Sequence, residues 1–462
     1  MVTTPASTYN WDTVFATPAT AVNAAIVAKR SSPSGFNVPA SADAPAVTAR
    51  FGDWQVCGGD GKNLRLTVPM SKLTIDSDSF DSAAATIEIK LEALPHTGLS
   101  SPPKGILKKL VPKTTTRDPV ADPVVVVVSI ISKPEMHLIQ HAMFEEVFKK
   151  WINSNLAAFN HIFAVVNLNE DIDKNEQWAF TTPSYIEYAY LDGGTPKDSL
   201  FSVLCMTGGR SGSHLTAQVN PNAIPATCTG GYLLSPTRYL SDLLAPAMEH
   251  CYGGLTLDDI ELASDSSSIG LKPDRRVPLP RIEHKGTPYT PVLTALNIKI
   301  LGNTMEISSQ TRTEVSPGIT AITNATHWYG IRLASAGERQ TLQYYETQPP
   351  VIVPMTEKSA GITITEIIMA IITAIGVVIA GILTEGAALI VAAVIIGALG
   401  GLAAAAPEII RLVNTDRSPS IDALVLNATQ PITWPGANKF ALQVAGLNES
   451  LQLGGTLHFA FS

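Results

Sequence analysis

Between residues 362 and 406 the chain carries only two charges, Glu366 and Glu385, in a sequence of otherwise ordinary polarity. A run that apolar restricts the fold, because it must lie inside a large core or meet lipid. Glu385 and Gly386 divide most of it into uncharged runs of about 18 and about 20 residues, near the ~20 a helix needs to cross ~30 Å of hydrocarbon. The pattern predicts an apolar helical hairpin over 362–406 with Glu385 at its tip. Gly397 and Gly401 add a small-xxx-small spacing, which lets helix backbones approach closely. Lys358 before the run and Arg411 after it set no positive-inside bias.

A chain of 462 residues is too long for one hydrophobic core, so two domains are expected, divided near Gly230-Gly231 into 1–231 and 232–462. The formal charge of −8 argues against a nucleic-acid partner, which needs a clustered basic surface. Lys104, Lys108, Lys109 and Lys113 read as a solvated loop. Cys57, Cys205, Cys228 and Cys251 are widely spaced without a CxxC pair, so neither a metal site nor a disulfide framework is expected. The first ten residues lack a basic segment followed by an apolar one, so no Sec-type signal is read. Synthesis in the cytoplasm is expected, and any release from the cell would need another route.

The order of elements repeats: short helix, strands, long helical segment, strands. In the first pass Thr17 to Arg30 reads as a helix, and Leu64 to Val68 and Ile87 to Glu92 alternate as half-buried strands. Val124 to Ile131 reads as a more fully buried strand, with a long loop from Pro95 to Pro123. Ser132-Lys133-Pro134-Glu135 fits a capping box before an amphipathic helix bearing Phe144, Val147, Phe148, Trp151, Ile152, Leu156 and Phe159. Strands follow at Phe163 to Leu168 and Leu200 to Met206. In the second pass Ser235-Pro236 caps a helix running toward Cys251, and strands resume at Ala295 to Ile300 and Trp328 to Leu333. The 362–406 run fills the long-helix slot, and Ala423 to Leu426, Phe440 to Val444 and Leu457 to Phe461 read as closing strands.

Trp11-Asp12-Thr13-Val14, the stretch Phe163-Ala164-Val165-Val166-Asn167-Leu168-Asn169, and Val203-Leu204-Cys205-Met206-Thr207 carry a family resemblance over the whole chain. The sequence resembles the forty-seven-kilodalton proteins encoded in orfX-type botulinum neurotoxin gene clusters, of the tubular lipid-binding (TULIP) superfamily. The resemblance implies an α+β fold: elongated tandem TULIP-like domains, each a long helix wrapped by a strongly curved antiparallel sheet around an apolar groove. It brings no catalytic residue and no cofactor. Phe144, Phe148, Trp151 and Phe159 are the candidate groove residues, with simple core filling as their alternative. An acyl chain in such a seam gains ~0.8 kcal/mol per buried methylene.

No constellation supports catalysis. His137, His141 and Glu145 share a helix face, but Leu138 occupies the position where a zinc protease needs its general base. Gly58-Gly59-Asp60-Gly61-Lys62 lacks phosphate-loop spacing and reads as a hairpin turn, and Gly208 to His214 reads as a loop. The expected function is non-enzymatic binding of a lipid or other apolar ligand, in company with a bacterial toxin system and other toxin-cluster proteins. The alternative is a membrane-inserting or pore-forming toxin component that uses the hairpin. Glu385 at the hairpin tip would make acid pH favour insertion, because protonation lowers the cost of burying it.

Overall fold

The computed structural model describes residues 5–42, 44–97, 105–168, 179–249, 251–252, 254–400 and 410–460. The alternating segments form strands as their period requires. Asn63–Ile75 and Asp78–Ile89 pair antiparallel, and alternate residues such as Leu64, Leu66, Val68, Ile87 and Ile89 are buried. They belong to a six-stranded antiparallel sheet that ends on strand Val125–Lys133. That last strand is a half-exposed edge rather than a fully buried element, with Val126, Val128 and Ile131 open to solvent. Helix Leu138–Asn155 lies on this sheet and buries Phe144, Val147, Phe148 and Ile152. It begins later than the Ser132–Glu135 box predicts. Ser132 Oγ accepts from Met136 N at 3.1 Å, while Gln140 Oε1 accepts from His137 N at 3.1 Å and closes the true helix start.

The larger sheet has thirteen strands, is antiparallel and strongly curled, and links both halves of the chain. Strand Gly230–Leu234 lies between Thr13–Pro18 and Ser450–Phe459, so the expected division at 231/232 falls within a strand shared by both halves. Beyond Ala437–Asn448 the sheet continues through three long neighbours, Ile319–Ala336, Thr304–Ser316 and Val292–Leu301.

The expected helical hairpin does not form. Glu366–Gly400 is one unbroken helix of 35 residues, about 52 Å long, and Glu385 and Gly386 lie in its middle. Gly386 marks a close approach, not a turn: a Cβ there would come within 2.2 Å of the Tyr252 ring. A single glycine costs a helix about 1 kcal/mol, too little to end a run this apolar. Beyond Gly386 the helix is almost wholly buried, whereas its first half leaves Ile367, Met369, Val377 and Val378 exposed. His327 Nε2 and Thr384 Oγ1, 3.0 Å apart, tie its middle to strand Ile319–Ala336.

Two further segments differ from expectation. The stretch taken as a loop contains strand Ile106–Pro112, paired with Leu91–Pro95 and Ala164–Leu168. The segment taken as the strand 423–426 lies in helix Asp422–Thr429, which buries Leu424 and Ala428 one turn apart. Asp422 and Ser420 hydrogen-bond to each other at this helix start, a local signal that outweighs four aliphatic neighbours. The Ser235 cap is present, its Oγ accepting from Arg238 N at 3.2 Å. The helix then takes a π turn at Tyr239–Leu244 before Pro246, which has no N–H to donate.

Candidate functional site

Strand Ile432–Thr433 pairs with Ala164–Leu168, so a segment near the C-terminus is held against the N-terminal half. The chain then turns at Trp434-Pro435-Gly436. Ala437 N donates to Trp434 O at 3.0 Å, and Gly436 adopts φ 81°, a left-handed conformation that glycine supplies without strain. The turn drives the Trp434 indole inward, edge-on to Phe15 at 5.5 Å and Phe201 at 6.0 Å. Only 3% of Trp434 is exposed, and its indole N–H has no acceptor among the described residues.

Three cavities share Trp434 as a wall. The first, of about 390 Å³, is lined by Phe15, Val425, Leu426, Ile432, Phe440 and Leu457 together with polar residues that include Asp422 and Lys439. A second of about 390 Å³ lies beside Lys29, Ser31, Asn160, His161 and Ile162. A narrow seam, bounded by Thr17, Val22, His161, Phe163 and Phe459, shares Trp434 with both and His161 with the second. The volumes of the two larger cavities fall in the ~300–1,000 Å³ range of small-molecule sites.

The polar groups in these walls are hydroxyls and amides, the His161 imidazole, the cations Lys29 and Lys439, and the Asp422 carboxylate. Thr17 is 1% exposed and its Oγ1 has no partner among the described residues. Ser31 Oγ lies 2.9 Å from His161 Nδ1, and both residues are buried. Burial pushes the His161 imidazole down from 6.5 to about 4, so it is neutral at physiological pH. Lys29 and Lys439 make no ion pair among the described residues. The Ser31–His161 pair has the reach of a nucleophile and base, but the chemistry is wrong. An imidazole with so low a pKa is a poor base, and no carboxylate lines the cavity to orient it.

The residues predicted to line a groove are packed as core. Phe144, Phe148 and Phe159 are at most 1% exposed. Phe144 stacks on Phe148 at 5.8 Å, Trp151 meets Phe36 at 5.0 Å, and Phe159 stacks on Trp54 at 4.8 Å. None of the four lines a described cavity, although Phe159 also stacks on His161 at 6.1 Å, one layer behind the site. Glu385 is exposed, Gly397 is buried in the long helix, and Gly401 lies outside the described residues. His141 Nδ1 faces Glu145 at 3.8 Å, and among the described residues no cluster of three or more metal-ligating side chains exists. Trp434, Thr17, Ser31, Lys29 and His161 went unnoticed in the sequence, since they come from distant segments with no shared period. The one local signal was the turn-forming Pro435-Gly436 beside a tryptophan.

A family model described as OrfX-like, for the proteins OrfX2, OrfX3 and P47, matches residues 8–455. The protein OrfX3 of Paraclostridium bifermentans is 35% identical over 98% of both chains. The protein OrfX3 of Clostridium botulinum strain Kyoto, type A2, is 32% identical, again over 98% of both. The solved structure of P47 from Clostridium botulinum A2 superposes with a TM-score of 0.64 at 16% identity, covering 98% of each chain, which establishes the shared fold. With its fold and nearly its whole length matched in this way, the chain belongs to the OrfX-like family.

Proposed function

We propose that this protein binds a lipid or other apolar ligand without transforming it, and that it does so as an accessory of a bacterial toxin system alongside other proteins of the same gene cluster. The observation that carries the reading is the group of cavities around Trp434, whose walls combine aromatic and aliphatic side chains such as Phe15, Leu426, Phe440 and Leu457 with polar ones. Burial of an alkyl chain there would contribute ~0.8 kcal/mol per methylene. The toxin setting rests on kinship with the OrfX and P47 proteins, and the resemblance to tubular lipid-binding proteins points the same way. Mass spectrometry of an organic extract of the purified protein tests it. Acyl lipid in near-stoichiometric amount is expected, and an extract no richer than that of a control protein would sink the reading.

A second reading rests on the long helix. Its first half presents Ile367, Met369, Val377 and Val378 to solvent, an apolar stripe suited to the interface of a lipid surface. The acid-triggered insertion expected for a hairpin tip loses its premise, because Glu385 is not at a tip. Flotation with liposomes separates this reading from the first, since a soluble carrier would stay at the bottom of the gradient.

A further inference from the structure

We propose that the first two turns of helix Leu138–Asn155 are a docking surface for a basic amphipathic helix of a partner protein. None of the residues involved lines the cavities around Trp434, so the inference stands apart from the ligand reading.

The start of this helix turns an apolar face to solvent. Leu138 is 86% exposed, Ile139 74% and Met143 40%, and Ala142 is exposed beside them. Leu138 and Ala142, like Ile139 and Met143, stand one turn apart, on the side of the helix away from the buried Phe144 and Phe148. One buried stripe already holds the helix to its sheet, so this second apolar face is surplus to folding and marks a contact with something else.

The charges around it are acidic. Between Lys133 and Lys149 the helix and its lead-in carry Glu135, Glu145 and Glu146, with no lysine or arginine. The turn that joins Asn63–Ile75 to Asp78–Ile89 adds Asp76 and Asp78, and Asp78 Oδ2 accepts from Gln140 Nε2 at 2.6 Å, which holds this turn against the helix start. Apart from the contact of Glu145 with His141 at 3.8 Å, none of these carboxylates makes an ion pair among the described residues. An apolar face set among unpaired carboxylates is complementary to a helix that flanks its own apolar stripe with lysine or arginine.

Other occupants fit less well. An added strand would need the free edge of Val125–Lys133, but Asn153 of the helix already accepts from Val125 N at 2.9 Å and donates to Val125 O at 3.0 Å, and His141 Nε2 lies 3.4 Å from Ile130 O. An anionic lipid surface would be repelled by the same carboxylates. A two-fold pairing with a second copy would bring them against one another.

Fluorescence anisotropy of a labelled amphipathic peptide of about 18 leucine and lysine residues, titrated with the full-length protein, tests the assignment. Saturable binding is expected, with a peptide of the same pattern in leucine and glutamate at least about tenfold weaker. Leu138→Ser combined with Ile139→Ser alters only exposed side chains and should weaken the lysine peptide about tenfold. Glu146→Lys, at a second exposed position, should weaken it as well. No saturable binding of the lysine peptide, equal binding of the glutamate peptide, or binding undiminished in the double variant overturns the proposal. Liposome flotation, or a dimer in sedimentation velocity, that the double variant abolishes would assign the face to a membrane or to a second copy and overturn it equally.

Discussion

Gly386 and Gly376 occupy the same helix yet predict opposite effects of one added methyl group. At Gly386 a Cβ would meet Tyr252 at 2.2 Å, and Tyr252 is 3% exposed and has little room to yield. Gly386→Ala should destabilise the protein by about 1–3 kcal/mol through overpacking. At Gly376 nothing lies within 4 Å, so Gly376→Ala should stabilise by up to ~1 kcal/mol through helix propensity alone. Urea denaturation of the two variants measures both signs, and two variants of equal stability would show that the helix does not pack against Tyr252 in this way. His161 gives a pH-dependent counterpart. Its folded value of about 4 lies below the ordinary 6.5, so between those values the unfolded chain binds the extra proton and stability falls as pH falls. The contribution is complete above about pH 6.5 and lost toward pH 4, amounting to about 3 kcal/mol. His327 is shifted in the same direction by burial. His161→Asn should therefore flatten, without abolishing, the decline in thermal stability between pH 6.5 and pH 4. A decline identical to that of the unaltered protein would mean that His161 titrates normally.

At the scale of elements, what could be read from the sequence was what has a period or a composition. The strands Asn63–Ile75 and Asp78–Ile89 announce themselves by alternation, and the stripe from Phe144 to Ile152 fixes which face of its helix meets the sheet. The apolar run predicted helix from composition alone, but as a hairpin turning at Glu385 rather than as the single helix Glu366–Gly400. Its shape was not readable, because Gly386 looks the same in sequence whether it makes a turn or admits a neighbouring tyrosine ring. The Trp434 site was hidden for a related reason: its walls come from residues near 17, 30, 161, 434 and 459, assembled only by long-range pairing. The exposed and buried faces of the long helix now predict different outcomes for the same change. Val377→Asp should leave stability within about 0.5 kcal/mol, because Val377 is 69% exposed. Ile379→Asp, at 0% exposure, should cost more than about 4 kcal/mol or prevent folding, as burial of an unpaired charge does. If the stripe meets lipid, Val377→Asp should also reduce liposome flotation while thermal stability is unchanged. Unaltered flotation in that variant would remove the stripe from the lipid contact.

For the whole molecule, the thirteen-stranded sheet decides how far the halves can be separated. Strand Gly230–Leu234 receives partners from both ends of the chain, and Thr13–Pro18 joins it to Leu200–Thr207. The termini reinforce this closure: Ala6 N donates to Asn448 O at 3.1 Å, and Ser450 Oγ donates to Ala6 O at 2.8 Å. Division of the chain at 231/232 would split a strand and strip neighbours from two others, leaving unpaired edges and exposed apolar faces. Fragments 1–231 and 232–462 produced separately should therefore aggregate or show little fixed tertiary structure, and produced together they should reassociate. The intact chain should lose both halves in one transition when heated, as elements of one cooperative sheet do. Tryptophan fluorescence and near-ultraviolet circular dichroism on the separate fragments would decide the matter. Two soluble, monomeric fragments with native-like spectra would mean that each half carries a sufficient core of its own and that the shared strand serves to orient the halves rather than to fold them.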